Sequence, residues 1–508
     1  MNIAEQKANL RERRALARNF AFAVFALFLP AISSSAEPEK FQWQRTDLFR
    51  ALEMQFAQAR NKPAKLVEQE FMVLADQSQR MLSTLSNNHD QTPFKNLAQL
   101  EEIQFQLAAL AAAQPLLLER AQSLINQIRF QVLLAASRWP VKQQAVHEVI
   151  YRVIYGGRSA IEEALVQNRS IDFPALARFD NVSSATPSAT VEGVQVHSGD
   201  IIVSRGGAPT SALIARGNIF PGLFSHVALV HVDEQTKKVT IIESLIDKGS
   251  VFTTVEDYLN YKSRRLLLLR LRPNHPVIQQ DPLAPHKAAS AILKSLRKNP
   301  VSYDFTLDWN DRSKMFCAEV PYHAYQNVGI DLWIYKSGLT SQGLKNWLGD
   351  IGVKQFTTII PSDLEYDPKL APVAEWRDLS ALRSDRLDNI TLDVLLEAAE
   401  QGDRLDYHWY EYLITIFVKL WSWIESVLGN EPTIPEGMSI SSALRVNTLS
   451  EKIHPILKKD IEQAAQRFEE EHGYVAPYWV LRDMTRNTFE KRRDNLTLHS
   501  KTKGDGGS

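Results

Sequence analysis

Residues 225–243 read SHVALVHVDEQTKKVTIIE, and this stretch decides the fold of the segment around it. Its two ends are rich in β-branched and aliphatic residues, and the polar stretch between them has the composition of a turn. If the ends pair about that turn, Ala228 lies opposite Glu243, and His226 lies one diagonal step from the carboxylate on the same face. A slip of one residue would move Glu243 to the other face, so the arrangement depends on the register. The sequence therefore predicts a β-hairpin that holds a histidine against a glutamate.

The same alternation separates the two histidines of this stretch. His226 and His231 are five residues apart, so they point to opposite faces of a strand. Only one of them can approach a group on a given face, and Glu243 favours His226. We interpret His231 as a polar residue at the end of the hairpin.

Short apolar runs on either side of the hairpin extend the pattern of strands. They lie at 201–203 and 266–271, and a helical period fits 285–297. Strands followed by helices indicate a compact α+β domain.

The rest of the chain is helical in pattern. We predict a domain order of a signal peptide at 1–36, a helical domain at 41–180, the α+β domain at 191–364, a second helical domain at 376–500 and a flexible tail at 501–508. In the first helical domain, Gly156-Gly157 is expected to break a late helix.

The chain is electrically balanced and begins with an export-like segment. Its 508 residues carry 58 basic and 59 acidic side chains, which supplies no general field for nucleic acid. Basic residues precede an apolar stretch at 19–32, and small residues then form a candidate signal-peptide cleavage site after Ala36. We therefore predict export to the periplasm, with an uncleaved N-terminal anchor as the secondary interpretation.

Cys317 is the only cysteine, so the chain can form no intramolecular disulfide. A single thiol in an exported protein is either a reactive group or a small buried apolar residue. Pro321 disfavours a regular helix through Cys317, so the cysteine is best accommodated at or just before the first turn. There the helix N-terminus favours a thiolate, and unpaired backbone N–H groups can bind an oxyanion. Glu319 points away from the thiol on such a helix, and we interpret it as structural.

Five short motifs follow one another in an order that resembles a known family. They are Gly199-Asp200-Ile201-Ile202, Ser225-His226-Val227, Ile242-Glu243, Tyr303-Asp304 and Cys317-Ala318-Glu319. In this order the set resembles the circularly permuted branch of the NlpC-type papain-like hydrolases. That branch includes the YiiX/YebB-like bacterial proteins and the lecithin retinol acyltransferase-like enzymes.

The resemblance implies an antiparallel sheet and a catalytic set within 191–364. Cys317 would be the nucleophile, His226 the base and Glu243 the third polar residue, with Tyr303 near the oxyanion or the substrate. The sequence departs from the family pattern at Ala318, where a serine is common, and at Pro321, where an aliphatic residue is usual. The histidines show no metal-ligand spacing, so we predict neither a metal nor a cofactor.

Three functions fit these observations. The first is an exported cysteine hydrolase of amide bonds, with peptidoglycan stem peptides as substrate. The second is a hydrolase or acyltransferase of acyl lipids that uses the same three residues. The third is a non-catalytic envelope scaffold, which the helical flanks and the two departures favour, with an envelope protein as partner.

The segment 407–428 is the most aromatic part of the chain. A helix on a membrane surface would carry several basic residues on its polar face, yet Lys419 is the only one. We therefore predict a core or partner-facing helix, or a wall of an apolar substrate groove. A membrane surface stays open as a partner of the whole protein.

Overall fold

The computed structural model describes residues 40–43, 45–87, 92–168, 174–179, 182–261, 265–339, 341–427 and 432–499. The predicted signal peptide and the predicted tail lie outside these ranges. All of the described residues belong to one compact unit, Glu39–Ser508.

Five helices open the described chain and enclose their own apolar core. They are α1 (Thr46–Asn61), α2 (Ala64–Asn87), α3 (Phe94–Ala113), α4 (Leu118–Ala136) and α5 (Gln144–Gln167). Helix α5 runs without a break through Gly156 and Gly157, so the prediction of a helix break there is wrong. A Cβ on Gly157 would lie 2.0 Å from Oε1 of Gln104, and one on Gly156 would lie 2.9 Å from the Trp43 ring. The glycines let α5 approach its neighbours closely, and tertiary packing outweighs their low helix propensity.

Thirteen strands follow within the described residues, and seven of them form one sheet. They are β1 (Leu176–Arg178), β2 (Ser188–Val191), β3 (Val194–His197), β4 (Ile201–Ser204), β5 (His226–Val232), β6 (Val239–Leu245), β7 (Gly249–Thr254), β8 (Arg265–Leu271), β9 (Ser337–Gly338), β10 (Thr357–Thr358), β11 (Leu370–Arg377), β12 (Arg404–Leu405) and β13 (Leu498–His499). The sheet order is β1-β11-β8-β4-β5-β6-β7, and every neighbouring pair is antiparallel. The antiparallel sheet and the helical flanks are therefore confirmed.

The sheet is larger than the domain limits 191–364 that the sequence suggested. Strands β1 and β11 lie outside those limits and form one edge. Pro372 makes β11 look like a connection, because proline cannot donate to a strand ladder. In the structure the β8–β11 register shifts between Pro372 and Ala374, so an irregularity in the ladder accommodates the proline.

Each face of the sheet is covered by a different layer. The helices of this region are α6 (Pro209–Arg216), α7 (Val255–Tyr261), α8 (Pro276–Gln280), α9 (Ala284–Lys298), α10 (Glu319–Gln326) and α11 (Gln342–Ile351). Val227, Leu229 and Ile242 pack on one face with α9 and α10. Ala228 and Ile241 pack on the other face with β2, β3 and α7. Residues of β5 and β6 therefore alternate between two buried layers.

The C-terminal part is helical, as predicted. Its helices are α12 (Leu379–Glu400), α13 (Trp409–Val427), α14 (Ile440–Asn447), α15 (His454–His472) and α16 (Tyr478–Arg492). Helix α13 is the aromatic segment, and most of its large apolar side chains are exposed, so its prediction as a core helix is wrong. None of the helices in the described ranges is long and apolar enough to cross a membrane.

Buried ion pairs join the first helices to the sheet. Arg129 of α4 and Arg158 of α5 both donate to Glu365, at 2.8 and 2.7 Å, and Arg158 also donates to Glu375 of β11. These four side chains are at most 2% exposed. Burial alone would raise the pKa of Glu375, but Arg158 and the neighbouring arginines outweigh it and lower the pKa to about 2. Each charge is therefore tolerated only because its partners are in place.

Replacing Arg158 by Ala should destabilise the protein strongly. The change leaves Glu365 and Glu375 buried with less positive charge, which typically costs about 3–5 kcal/mol. Chemical unfolding would measure the loss. The matched control is Arg80→Ala, because Arg80 and its partner Asp76 are both exposed and such pairs contribute about 0–1 kcal/mol. Equal losses in the two variants would contradict this account of the buried pairs.

Asp363 should make stability depend on pH. It is 3% exposed, and burial raises its pKa to about 8, against about 3.9 for an unfolded aspartate. The folded state therefore holds a proton that the unfolded state releases, and this contribution is full below pH 4 and is lost as the pH rises to about 8. Asp363→Asn should gain stability relative to the native chain over that interval in unfolding experiments. The exposed Asp331→Asn should show no such trend, and a flat difference for Asp363→Asn would contradict the prediction.

Candidate active site

The β5–β6 hairpin joins His226 to Glu243. The ladder pairs Leu229 with Ile242 and Val232 with Val239, so its continuation sets Ala228 opposite Glu243, which is the predicted register. Nε2 of His226 lies 2.7 Å from Oε2 of Glu243. The carboxylate therefore orients the imidazole through Nε2, and Nδ1 is the nitrogen that would exchange a proton with a nucleophile.

A third strand holds the carboxylate from its other side. Thr253 of β7 donates its hydroxyl to Oε1 of Glu243 at 3.1 Å. Glu243 is 2% exposed, whereas the His226 side chain is 12% exposed at the first position of β5. Glu243 is thus buried and holds the imidazole, and His226 is the more solvent-accessible member of the pair.

Thr253 is a residue that the sequence analysis missed. The run 249–254 reads GSVFTT, and its glycine and serine hide the strand pattern. In the structure β7 pairs with β6 so that Thr253 lies opposite Ile241, which shares a face with Glu243. Recognising this strand would have been enough to find the residue.

Cys317 lies just before a helix, as its neighbours predict. Helix α10 begins at Glu319, so Cys317 precedes the helix by two residues, and Pro321 occupies the first turn, where its missing N–H costs no hydrogen bond. Within the described ranges, no hydrogen bond occupies the backbone N–H of Cys317. This N–H is therefore a candidate oxyanion donor. Cys317 itself is 5% exposed.

Glu319 holds the start of this helix. One of its carboxylate oxygens accepts from the backbone N–H of Phe316 at 2.7 Å, and the other contacts Nε2 of His323 at 3.2 Å. These contacts fix the turn that carries Cys317, and they account for Glu319 as a structural residue.

Two hydrogen bonds hold the segment before Cys317, and one of them comes from a strand of the sheet. Ser244 of β6 donates its hydroxyl to the carbonyl of Met315 at 2.6 Å. The backbone N–H of Met315 donates in turn to Ser302 at 3.0 Å. Ser244 follows Glu243 and Met315 precedes Cys317 by two residues, so the first bond ties the strand of Glu243 to the segment of Cys317.

Tyr258 of α7 is a buried tyrosine whose pKa responds to both Glu243 and Cys317. Burial raises its pKa well above the usual range, and the charges of Glu243 and Cys317 raise it further. Its hydroxyl lies 3.2 Å from the hydroxyl of Ser204, the residue that pairs with His226 across β4 and β5. The sequence gives no signal for Tyr258, because nothing in a short helix after β7 distinguishes a tyrosine near the site from one of the core.

Tyr303 is a second tyrosine whose pKa responds to the cysteine. Its pKa is raised well above the usual range by burial, and then by the charges of Cys317, Asp304 and Glu319. A phenol in this environment stays protonated and can donate a hydrogen bond. The place of Tyr303 near the oxyanion or the substrate, which the resemblance implied, stays a prediction.

The remaining motif residues support the sheet. Gly199 has φ of +95°, and a Cβ there would lie 2.3 Å from the side chain of Pro285, so glycine is required. Asp200 accepts two hydrogen bonds from Arg270, both at 2.8 Å. His231 contacts Ser290 of α9 at 3.1 Å, on the opposite face from His226, which agrees with its interpretation as non-catalytic.

Comparison with known proteins identifies the type of domain. Residues 195–374 match the model of a family described as a permuted papain-like amidase enzyme, YaeF/YiiX, C92 family. The match covers roughly a third of the chain and includes His226, Glu243, Tyr303 and Cys317. No curated protein and no solved structure gives a significant match. The resemblance to the permuted papain-like branch is thus confirmed for this segment, and the match supports a thiol amidase or hydrolase as its activity class.

Glu243→Gln should lower the reactivity of Cys317. The amide removes the charge that would stabilise the protonated imidazole, so fewer molecules hold the thiolate–imidazolium pair. Because Cys317 is the only cysteine, alkylation by iodoacetamide at pH 6 measures this directly, and we expect roughly a tenfold slower reaction. The matched control is Glu234→Gln, an exposed glutamate in the turn of the same hairpin, which should react as the native chain does. Equal alkylation rates in the native chain and in Glu243→Gln would show that Glu243 does not affect the reactivity of Cys317.

Proposed function

We propose that the protein is an exported thiol amidase that cleaves amide bonds in peptidoglycan stem peptides, with Cys317 as nucleophile, His226 as base and Glu243 as the orienting carboxylate. The observation that carries the proposal is the 2.7 Å hydrogen bond between His226 and Glu243. It lies within the segment that matches the permuted papain-like amidases.

The proposed reaction proceeds in two stages. His226 takes the thiol proton, and the sulfur of Cys317 attacks the amide carbonyl to form a tetrahedral oxyanion. The backbone N–H of Cys317 and the hydroxyl of Tyr303 are the proposed oxyanion donors. The imidazolium gives its proton to the departing amine and leaves a thioester, and a water activated by His226 then hydrolyses the thioester and restores the thiol.

The choice of substrate rests on two supports. The matched family is described as an amidase, which favours amide bonds over esters. The basic residues, the apolar stretch at 19–32 and the small residues before Ala36 favour export. Peptidoglycan stem peptides are the abundant amide substrate outside the bacterial inner membrane, so we propose them as the target.

Replacing Cys317 by Ala should abolish cleavage of purified muropeptides. Without the sulfur no thioester forms, and we expect the rate to fall by at least roughly a thousandfold. Chromatography of the products measures cleavage, and a thiol-directed probe should no longer label the protein. Unfolding curves of the variant should match those of the native chain and so exclude a folding defect.

The control substitution is Ser337→Ala, which removes a buried hydroxyl from strand β9 and keeps Cys317. It should retain cleavage. Muropeptide cleavage that persists in Cys317→Ala would refute the proposed nucleophile. Cleavage of acyl lipids alone by the native chain would refute the proposed substrate and keep the thiol mechanism.

A further inference from the structure

Helix α13, Trp409–Val427, presents its apolar side to solvent. Trp409, Phe417 and Trp423 are 75%, 73% and 64% exposed. The other large apolar residues of the helix that are more than a third exposed are Tyr410, Tyr412, Leu413, Ile414, Ile416, Leu420 and Trp421. A surface helix of a soluble protein normally turns such a face to the core. Here the exposed side is the apolar one.

The polar residues of α13 lie on the side of the helix that meets the protein, with Glu425 at the exposed edge of that side. Glu411, Thr415, Lys419, Ser422 and Glu425 recur at helical spacing, so they form one stripe. This stripe is the side on which the helix meets the rest of the fold, and each end of it is tied down by hydrogen bonds.

The contacts of the stripe account for its charges. Lys452 donates to Glu411, and Lys419 donates to the backbone carbonyl of Met438 at 2.5 Å. The Ser422 hydroxyl bonds both the carbonyl and the N–H of Ile434, at 3.0 and 2.8 Å. Thr433 donates its hydroxyl and its N–H to Glu425, each at 2.9 Å. Hydrogen bonds therefore hold α13 with its polar side against the protein and its apolar side toward solvent.

We propose that the exposed face of α13 docks the protein on a lipid bilayer, with the helix lying in the plane of the interface. Charge selects this occupant. The charged residues of the helix are Glu411, Lys419 and Glu425, and hydrogen bonds engage all three. Glu425 also accepts from the exposed Trp421 at 2.9 Å, so it lies at the border of the exposed face, and the rest of that face carries no charge. Placing a charged side chain in lipid hydrocarbon costs much free energy, so a face without charged side chains suits a bilayer. A protein partner would instead favour a polar rim around the apolar centre.

The aromatic content of the exposed face fits the same occupant. Trp409, Tyr410, Tyr412, Trp421 and Trp423 all lie on it. Tryptophan and tyrosine are enriched at the membrane–water interface, which is the level at which a helix in the plane of the interface lies. At 19 residues the helix is about 28 Å long, which gives a continuous contact along the surface.

The scarcity of basic residues does not oppose this proposal. A free amphipathic helix needs lysine and arginine because its polar face meets the headgroups. The polar face of α13 meets Lys452, Met438, Ile434 and Thr433 of the same chain. Binding should therefore rest on apolar insertion, with little dependence on anionic lipid or on salt.

Sedimentation of the full chain with phosphatidylcholine vesicles tests the proposal. We expect the native chain to bind these neutral vesicles, and we expect binding to change little on adding phosphatidylglycerol or salt. The variant Phe417→Glu/Trp421→Glu should lower the bound fraction by at least roughly tenfold, because two charges would have to enter the apolar layer. The matched control is Leu116→Glu, an apolar residue that is 94% exposed in the short helix between α3 and α4 and that should leave binding unchanged.

Unfolding curves keep the test decisive, because Phe417 and Trp421 face solvent and their replacement should not lower the stability of the soluble protein. Native chain that stays in the supernatant with both vesicle types would overturn the proposal. So would a solution dimer, measured by light scattering, that the double variant abolishes, because the face would then bind a second copy. Equal loss of vesicle binding in Leu116→Glu would also overturn it.

Discussion

The register of the β5–β6 ladder is the constraint on which the candidate site depends. Side chains on a strand alternate, so only one register sets the imidazole of His226 and the carboxylate of Glu243 on the same face. Both faces of these strands are buried, and any slip would move Val227 and Ile242 out of one layer and Ala228 and Ile241 out of the other. The packing of two apolar layers therefore fixes the geometry of a polar pair.

Buried charge binds the helical flanks to this sheet. Arg265 of β8 donates to Glu162 of α5 and to Asp385 of α12, so one arginine joins the first helices, the sheet and the last helices. A buried ion pair stabilises a protein little more than apolar residues of the same size would. Removing one partner, however, strongly destabilises the protein, because the other charge is left buried and unpaired. The flanks are consequently parts of one folded unit with the sheet and are not appendages on a self-sufficient domain.

The β-branched runs and the polar turn at 233–238 were enough to predict the hairpin, and centring the pairing on that turn gave the register that the structure shows. The same reasoning found Cys317 before a helix, because Pro321 allows few positions. It failed at Gly156 and Gly157, where contacts with Gln104 and Trp43 decide the outcome. The limits 191–364 also leave out strand β11, where a ladder irregularity accommodates Pro372. Thr253 was missed because its hydrogen bond to Glu243 comes from strand pairing, and Tyr258 because its hydrogen bond with Ser204 comes from helix packing. A single sequence carries both signals only weakly.

The orientation of α13 shows why composition alone cannot assign a surface. The same residues fit a core helix, a partner-facing helix or a helix in a bilayer, and the single basic residue argues against the last only if the polar face is open. Hydrogen bonds from Thr433, Ile434 and Lys452 close that face against the protein. The choice then falls on the apolar side, whose lack of charge matches an uncharged medium better than a partner with a polar rim. Because the polar side of α13 is bonded to the protein, the helix needs no basic residues on that side in order for its apolar side to bind a bilayer.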